Sequence, residues 1–332
     1  MRAAVIQSVG VVSVEEVPDP TPGPKEVVVE VISSGICGTD LHILQGKFAL
    51  SPFPIIPGHE FAGNVVAVGR EVTDVAIGTR VAVDPNIPCG GCHFCKRGKA
   101  NLCENFTAFG INIPGGAAQY VAAPTTNLYV LPDSIATRDA GLIEPLSCAV
   151  HAFDALPRNP ADHYLIYGSG TMGLVMMEMA KRNGAASVTM IDLNPERLET
   201  ARTLGCSGTS STPDDFDMPY GWDVVIDCTG STAAIRDGLA RVSPGGVYHQ
   251  FGVTDAHAEV EFEPFRVYSK EITILGTMSL VHSFDRAGEL LAAGVLNADV
   301  MISHRFGLDD YAKAIDQFKA GVGRKITLEP NS

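Results

Sequence analysis

The apolar run Tyr164–Tyr167 enters the turn Gly168-Ser169-Gly170-Thr171-Met172-Gly173 and leaves it into a helical stretch, Gly173–Asn183. This order of strand, G-x-G-x-x-G turn and helix restricts the chain more than any other feature, because it calls for a βαβ unit with the turn at a helix N-terminus. The first glycine permits the tight turn, the second lets backbone approach a pyrophosphate, and the third lets helix pack on strand. Free N–H groups and the positive end of the helix dipole then favour phosphate. Asp192 ends the next apolar run, nineteen positions after Gly173. A carboxylate there accepts hydrogen bonds from both ribose hydroxyls and repels a 2′-phosphate, which favours NAD over NADP. Arg197, five residues on, either sits beside the adenine or attracts a phosphate. On this motif alone a flavin protein and a nucleotide-binding fold without catalysis both stay open.

Strand and helix patterns go on alternating around the turn. Ile143–Leu156 has helical spacing, Ser187–Asp192 reads as strand, Pro195–Leu204 as helix, Trp222–Asp227 as strand and Thr232–Val242 as helix. Gly246–Gly252 and Ile272–Gly276 read as further strands. Apolar strands alternating with helices imply a parallel sheet covered on both faces. The first part of the chain differs. Val27–Ile32, Gly63–Val68 and Arg80–Val83 are β-branched runs between turn residues, and Pro18–Pro24 is a connector. A mostly β domain is therefore expected from Ala3 to about Leu131. The tail returns to helix from Ser283 and over Leu308–Ala320, then closes with a strand at Lys325–Leu328.

The 332 residues are enough for two domains, and 45% hydrophobic with 19% charged is an ordinary globular balance. A formal net charge of −14 offers no basic field for nucleic acid. The opening MRAAVIQSVG has no long apolar core, so a secretory leader is not expected, and no apolar run reaches the length of a membrane span. Of the eight cysteines, Cys89, Cys92, Cys95 and Cys103 fall within fifteen positions as C-x2-C-x2-C-x7-C. Thiolates so spaced close a tetrahedral zinc shell, and Gly90, Gly91 and Gly98 supply the bends. A shell of four sulfurs leaves no open position, so this zinc is structural; an iron–sulfur cluster is the rival reading. His93, inside the lobe, reads as a loop residue. Metal in place of disulfides fits a reducing cytoplasm. Cys37-Gly38-Thr39-Asp40 and Gly58-His59-Glu60 are two further polar islands, and thiolate, imidazole and carboxylate make an incomplete ligand set suited to catalytic zinc.

Taken in order, the phrases GICGTDLH, PGHEFAGNVVAVG, the four-cysteine lobe, LIEPLSCAVHA, GSGTMG, IDLNPERL and DCTG resemble the zinc-containing medium-chain alcohol and polyol dehydrogenases, nearest the sorbitol dehydrogenase branch. The resemblance runs from Met1 to about Leu328. It implies an α/β protein: a GroES-like catalytic domain over 1–147 and 285–332, a Rossmann NAD-binding domain over 148–284, and an active site in the cleft between them. It implies that Cys37 and His59 bind catalytic zinc, with Glu60 and Glu144 exchanging as ligands, and that Asp40 holds the imidazole of His59. It implies hydride transfer between a secondary alcohol or polyol and NAD, with zinc lowering the pKa of the alcohol and Thr39 and His42 relaying the proton. Thr171 and Met172 are placed at the pyrophosphate and Arg197 near the adenine. Thr229-Gly230, Phe251-Gly252-Val253 and Thr277-Met278-Ser279 are placed at the nicotinamide end. A homodimer or homotetramer is implied as well.

The chain departs from sorbitol dehydrogenases in two places. It has Ile43 where they carry an aromatic residue, and Ser279-Leu280 where they carry Arg-Tyr. Ile43 and Leu280 are expected to make the substrate pocket more apolar, with Gln45 and His282 restoring hydrogen bonds. A cyclic polyol, a shorter polyol or a simple secondary alcohol then competes with sorbitol. A threonine-dehydrogenase-like enzyme, a zinc-structured NAD-binding module without turnover and a zinc-free reductase are the other readings.

Overall fold

The computed structural model describes residues 1–48, 51–157 and 159–332. The chain divides into two compact units, Met1–Ser147 with Leu280–Ser332, and Cys148–Ser279.

The first unit is built on a seven-stranded sheet with a hairpin, Arg2–Ser8 and Val11–Glu16, beside it. The sheet runs Ile302–Gly307, Lys325–Glu329, Glu26–Ile36, Glu60–Val68, Arg80–Val83, Leu128–Val130, and Tyr120–Pro124 also pairs with Glu26–Ile36. Glu26–Ile36 is long and β-branched, so it can pair with several strands along its length. Its last residues are held by the C-terminal strand, with Ile326 opposite Ile36 and Leu328 opposite Ser34. One core under the sheet is Val27, Val29, Val31, Phe61, Val65, Val81 and Val83. A second joins Ala3, Val5, Ile36, Tyr311, Ile315, Ile326 and Leu328.

In the second unit six parallel strands lie in the order Gly208–Ser210, Ser187–Ile191, His163–Tyr167, Trp222–Asp227, Val242–Gln250, Thr273–Gly276. Sequence order reverses between His163–Tyr167 and Trp222–Asp227, and in open parallel sheets that reversal opens a crevice at the carboxyl ends of the strands. The helices Thr171–Arg182, Pro195–Thr203 and Thr232–Arg241 connect successive strands. Outside the region expected to be mostly β, two strands escape the sequence reading, Gly208–Ser210 and Ile302–Gly307. Each lies at a sheet edge and is rich in polar residues, so neither shows the apolar run of an inner strand. Among the described residues no helix is long and apolar enough to cross a membrane.

Candidate active site

Cys37 follows the long strand directly and stands at the N-cap of the short helix Gly38–Leu44. Asp40, in that helix and 1% exposed, accepts the Cys37 N–H at 2.8 Å and the Gly58 N–H at 3.2 Å. One buried carboxylate thus fixes both backbone segments that present the site. Gly58 is at φ +91, and a β-carbon there would lie 2.8 Å from the Ala117 nitrogen, so this turn needs glycine. His59 and Glu60 follow it, both buried. The Sγ of Cys37, a ring nitrogen of His59 and a carboxylate oxygen of Glu60 all lie within 4.8 Å of one another. Asp40 Oδ1 is 3.8 Å from His59 Nδ1, too far for a hydrogen bond. With its hydrogen bonds given to the backbone, Asp40 acts on the imidazole as an ion-pair partner, through its charge.

The electrostatics of this cluster call for positive charge. Burial opposes protonation of His59, yet Cys37, Asp40 and Glu144 outweigh it and raise its pKa well above the ordinary value. Glu144, in the first turn of the helix Ile143–Ala155 and buried, lies outside the set that closes within 4.8 Å but acts on both His59 and Lys325. Lys325 has no counterpart in the sequence reading. Its ammonium pairs with Glu60 Oε2 and donates to the Ile36 carbonyl at 3.0 Å, and it is 3% exposed. Burial works against its charge, and Glu60, Cys37 and Glu144 raise its pKa nonetheless. A thiolate, an imidazole and two carboxylates around one fixed ammonium fit a divalent cation of zinc type.

Thr39 and His42 sit three residues apart on Gly38–Leu44, hence on neighbouring positions of one helix face. Thr39 Oγ1 is 3.8 Å from Cys37 Sγ, and both residues are half-buried. Ile43 packs in the core with Ile6 and Ile55, and Leu280 is 2% exposed. The apolar pocket wall expected of Ile43 is therefore a piece of hydrophobic core.

The four lobe sulfurs, Cys89, Cys92, Cys95 and Cys103, also lie within 4.8 Å of one another. The Cys89 N–H points to Cys103 Sγ at 3.3 Å and the Cys95 N–H to Cys92 Sγ at 3.5 Å. Amides from Cys95 and Glu104 bring the Cys92 thiol down to about 6. Desolvation and the neighbouring thiols push Cys95 up to about 12. Four sulfurs this close cannot all ionise without a cation among them. His93 stands apart, edge-on to Phe94 and 3.3 Å from Arg97. None of the eight cysteines is in a disulfide among the described residues.

In the second unit Gly168 is at φ +93, and a β-carbon on Gly173 would lie 1.7 Å from the Gly168 carbonyl oxygen. The turn therefore admits only glycine at both ends. Asp192 accepts from Ser169 N–H at 2.7 Å and from Asn194 N–H at 2.8 Å, which holds the turn against the next strand. Asn194 caps the helix carrying Arg197, and a β-carbon on Gly170 would be 3.7 Å from the Arg197 guanidinium. Thr171 and Met172 open the helix after Gly170.

Across the reversal point lies a polar clamp that sequence reading misses. Asp227, fully buried, accepts from Thr229 Oγ1 at 2.6 Å, Thr229 N–H at 3.1 Å, Gly230 N–H at 2.9 Å and Gln250 Nε2 at 2.9 Å. Gln250 also donates to the Gly252 carbonyl at 2.6 Å. The turns at Thr229–Gly230 and Phe251–Val253 are thus locked together, and Val253 is left exposed. Thr277 Oγ1 lies 2.8 Å from His249 Nε2, with Met278 and Ser279 following. The available signal for Asp227 is an acid closing the apolar run WDVVID just before a Thr-Gly turn.

Two units, one holding a glycine turn at a parallel-sheet crevice and the other a cluster of half-buried Cys37 with buried His59 and Glu60, define an oxidoreductase of the dinucleotide-binding class. Residues 23–133 match the family described as alcohol dehydrogenase GroES-like domain, and residues 171–293 that described as zinc-binding dehydrogenase. D-arabinitol dehydrogenase 1 of Uromyces fabae is 33% identical, over 92% of this chain and 90% of that protein. A zinc-binding dehydrogenase from Sinorhizobium meliloti 1021, solved with NADP, shares 34% identity over 99% of each chain with a TM-score of 0.95. A structure from Escherichia coli CFT073, described as a short chain alcohol dehydrogenase complexed with NADH, shares 29% identity over 99% of each chain with a TM-score of 0.92. The chain belongs to the zinc-containing medium-chain alcohol and polyol dehydrogenase family, with a GroES-like fold and a Rossmann fold in one polypeptide.

Proposed function

We propose that the chain transfers hydride between a secondary alcohol or polyol and NAD. The observation that carries this reading is the convergence of half-buried Cys37 with buried His59 and Glu60 within 4.8 Å. Cys37 and His59 would hold the catalytic zinc together with Glu60, Glu144 being the second carboxylate in electrostatic reach. Cys89, Cys92, Cys95 and Cys103 would hold a structural zinc. Bound there, zinc would act as a Lewis acid on the substrate hydroxyl and NAD as the hydride acceptor. The chain's own part begins at Thr39 Oγ1, which takes the hydroxyl proton and hands it to His42 one helical turn on. Met1–Ser147 with Leu280–Ser332 is the catalytic domain in this reading, and Cys148–Ser279 the NAD domain.

The dinucleotide lies across the carboxyl ends of the six parallel strands. Gly168–Gly173 take the pyrophosphate on helix N–H groups, while Asp192 and Arg197 take the adenosine half. Thr229–Gly230, Phe251–Val253 and Thr277–Ser279 border the nicotinamide half. Both oxygens of Asp192 already face N–H donors, so its charge is held in place against a 2′-phosphate, which supports NAD. The edge strand Thr273–Gly276 is unpaired on one side and exposes Ile274, with Phe265 and Tyr268 exposed nearby; this supports self-association into a homo-oligomer. Free cysteines gathered for metal support a reducing compartment such as the cytoplasm.

The test is initial NADH formation by zinc-loaded protein on linear polyols, cyclic polyols, simple secondary alcohols and L-threonine, with NADP in parallel. Turnover of one alcohol class with NAD is expected. Turnover of threonine alone would move the enzyme to the threonine-dehydrogenase type, and silence with zinc and NAD both bound would leave a binding module.

A further inference from the structure

We propose that His249 is a positioning residue for the cofactor, holding the Thr277 hydroxyl so that its proton is presented to the nicotinamide carboxamide oxygen. The inference rests on the NAD-binding reading above. His249 lies near the end of Val242–Gln250 with its side chain fully buried, and it pairs in register with Leu275 of the edge strand. Its Nε2 is 2.8 Å from Thr277 Oγ1, and its Nδ1 has no hydrogen-bond partner among the described residues. Phe251 closes the ring's edge at 6.0 Å between centroids.

Two neutral tautomers are available to such a ring. One puts the proton on Nδ1 and buries an N–H with nothing to receive it. The other puts it on Nε2 and leaves Nδ1 as an unused lone pair. Buried N–H groups without acceptors are rarer than under-used acceptors, so the second tautomer is the one this site stabilises. Burial, with the charge of His151 second, also brings the imidazole down to about 4, so the ring is neutral near pH 7. Nε2–H therefore donates to Thr277 Oγ1. Once that oxygen accepts from the imidazole, its own proton is free to be donated elsewhere.

The direction of that donation follows from the sheet. Thr277 is half-buried, one residue past the carboxyl end of Thr273–Gly276. A dinucleotide crosses the carboxyl ends at the reversal point, with its pyrophosphate at the glycine turn and its adenosine on the Asp192 side. The other half must then pass over the ends of Trp222–Asp227, Val242–Gln250 and Thr273–Gly276. The nicotinamide carboxamide offers a carbonyl acceptor there, and a hydroxyl locked as donor fits it and fixes the rotation of the ring.

The measurement is the dissociation constant of NADH and, separately, of ADP-ribose, which lacks the nicotinamide. It is made on the wild type, Thr277→Val, Thr277→Ser and His249→Phe. Thr277→Val and His249→Phe are expected to weaken NADH by about three- to tenfold, the worth of one neutral hydrogen bond, with ADP-ribose unchanged and Thr277→Ser close to wild type. Equal weakening of both ligands would make His249 a packing residue and overturn the proposal, as would unchanged NADH binding by Thr277→Val. Thr277→Val carries the test by itself should His249→Phe not fold. A wild type that binds neither ligand would instead remove the NAD reading beneath it.

Discussion

Lys325 and Glu60 are 3% and 1% exposed and face each other, so neither charge has water to fall back on. Removing one partner of a buried pair leaves the other uncompensated, at roughly 3–5 kcal/mol. Lys325→Met is expected to lower the denaturation midpoint accordingly in metal-free protein, and Lys325→Arg to recover most of the loss. A methionine variant as stable as wild type would mean that Glu60 takes up a proton or finds another partner. Zinc should shrink the deficit, since a divalent cation beside Cys37 and His59 supplies the charge that the ammonium no longer does. His249 offers a residue-scale test of a different kind. Its folded pKa of about 4 lies below the ordinary imidazole value, so the unfolded chain binds the proton first as pH falls. The stability this group contributes is present above about pH 6.5, is lost between there and about pH 4, and amounts to about 3 kcal/mol at most. Wild type should therefore lose stability across that window more steeply than His249→Phe, by chemical denaturation at fixed pH values. Parallel slopes would show that the native imidazole titrates normally.

Elements whose neighbours in space are also neighbours along the chain are legible in the sequence itself. The glycine turn is readable because strand, turn, helix and acid follow one another within thirty residues, and the cysteine lobe because its ligands sit within fifteen positions. The family assignment follows from such phrases. What the sequence hides depends on pairing at long range. Lys325 reaches the site because Lys325–Glu329 pairs with Glu26–Ile36, almost the whole chain away, and nothing in KITLE announces that a lysine starts the strand buried. Asp227 and Gln250 lie on adjacent parallel strands, and His249 meets Thr277 past the end of the next one, so both pairings exist only once the sheet has its order. Ile43 departs from expectation for a related reason. A helix capped by Cys37 has an inner face as well as a site face, and the core of Ile6 and Ile55 claims the inner one. Asp40 similarly gives its hydrogen bonds to the nearest backbone donors and meets the imidazole, 3.8 Å away, as an ion pair.

At the scale of the molecule, one unit gathers metal-type ligands and the other a crevice for a dinucleotide. The exposed edge at Thr273–Gly276 belongs to the second unit, where Ile274→Glu would place a charge on an apolar, unpaired strand. Light scattering is expected to show the wild type as a dimer or tetramer and this variant shifted toward monomer, with NAD binding retained. An unchanged mass would place the contact elsewhere. The central claim is that turnover depends on zinc at Cys37 and His59, distinct from zinc in the lobe. The most direct measurement adds zinc stepwise to metal-free wild type and Cys37→Ser, reading bound zinc per chain alongside NADH formation on the alcohol selected by the substrate panel. Wild type is expected to take up two ions per chain and to gain activity only with the one that Cys37→Ser fails to bind. The variant should retain one ion and NAD binding while losing turnover by about a thousandfold or more, a loss of roughly 4 kcal/mol of transition-state stabilisation. Wild-type turnover from Cys37→Ser carrying one zinc per chain would contradict the claim.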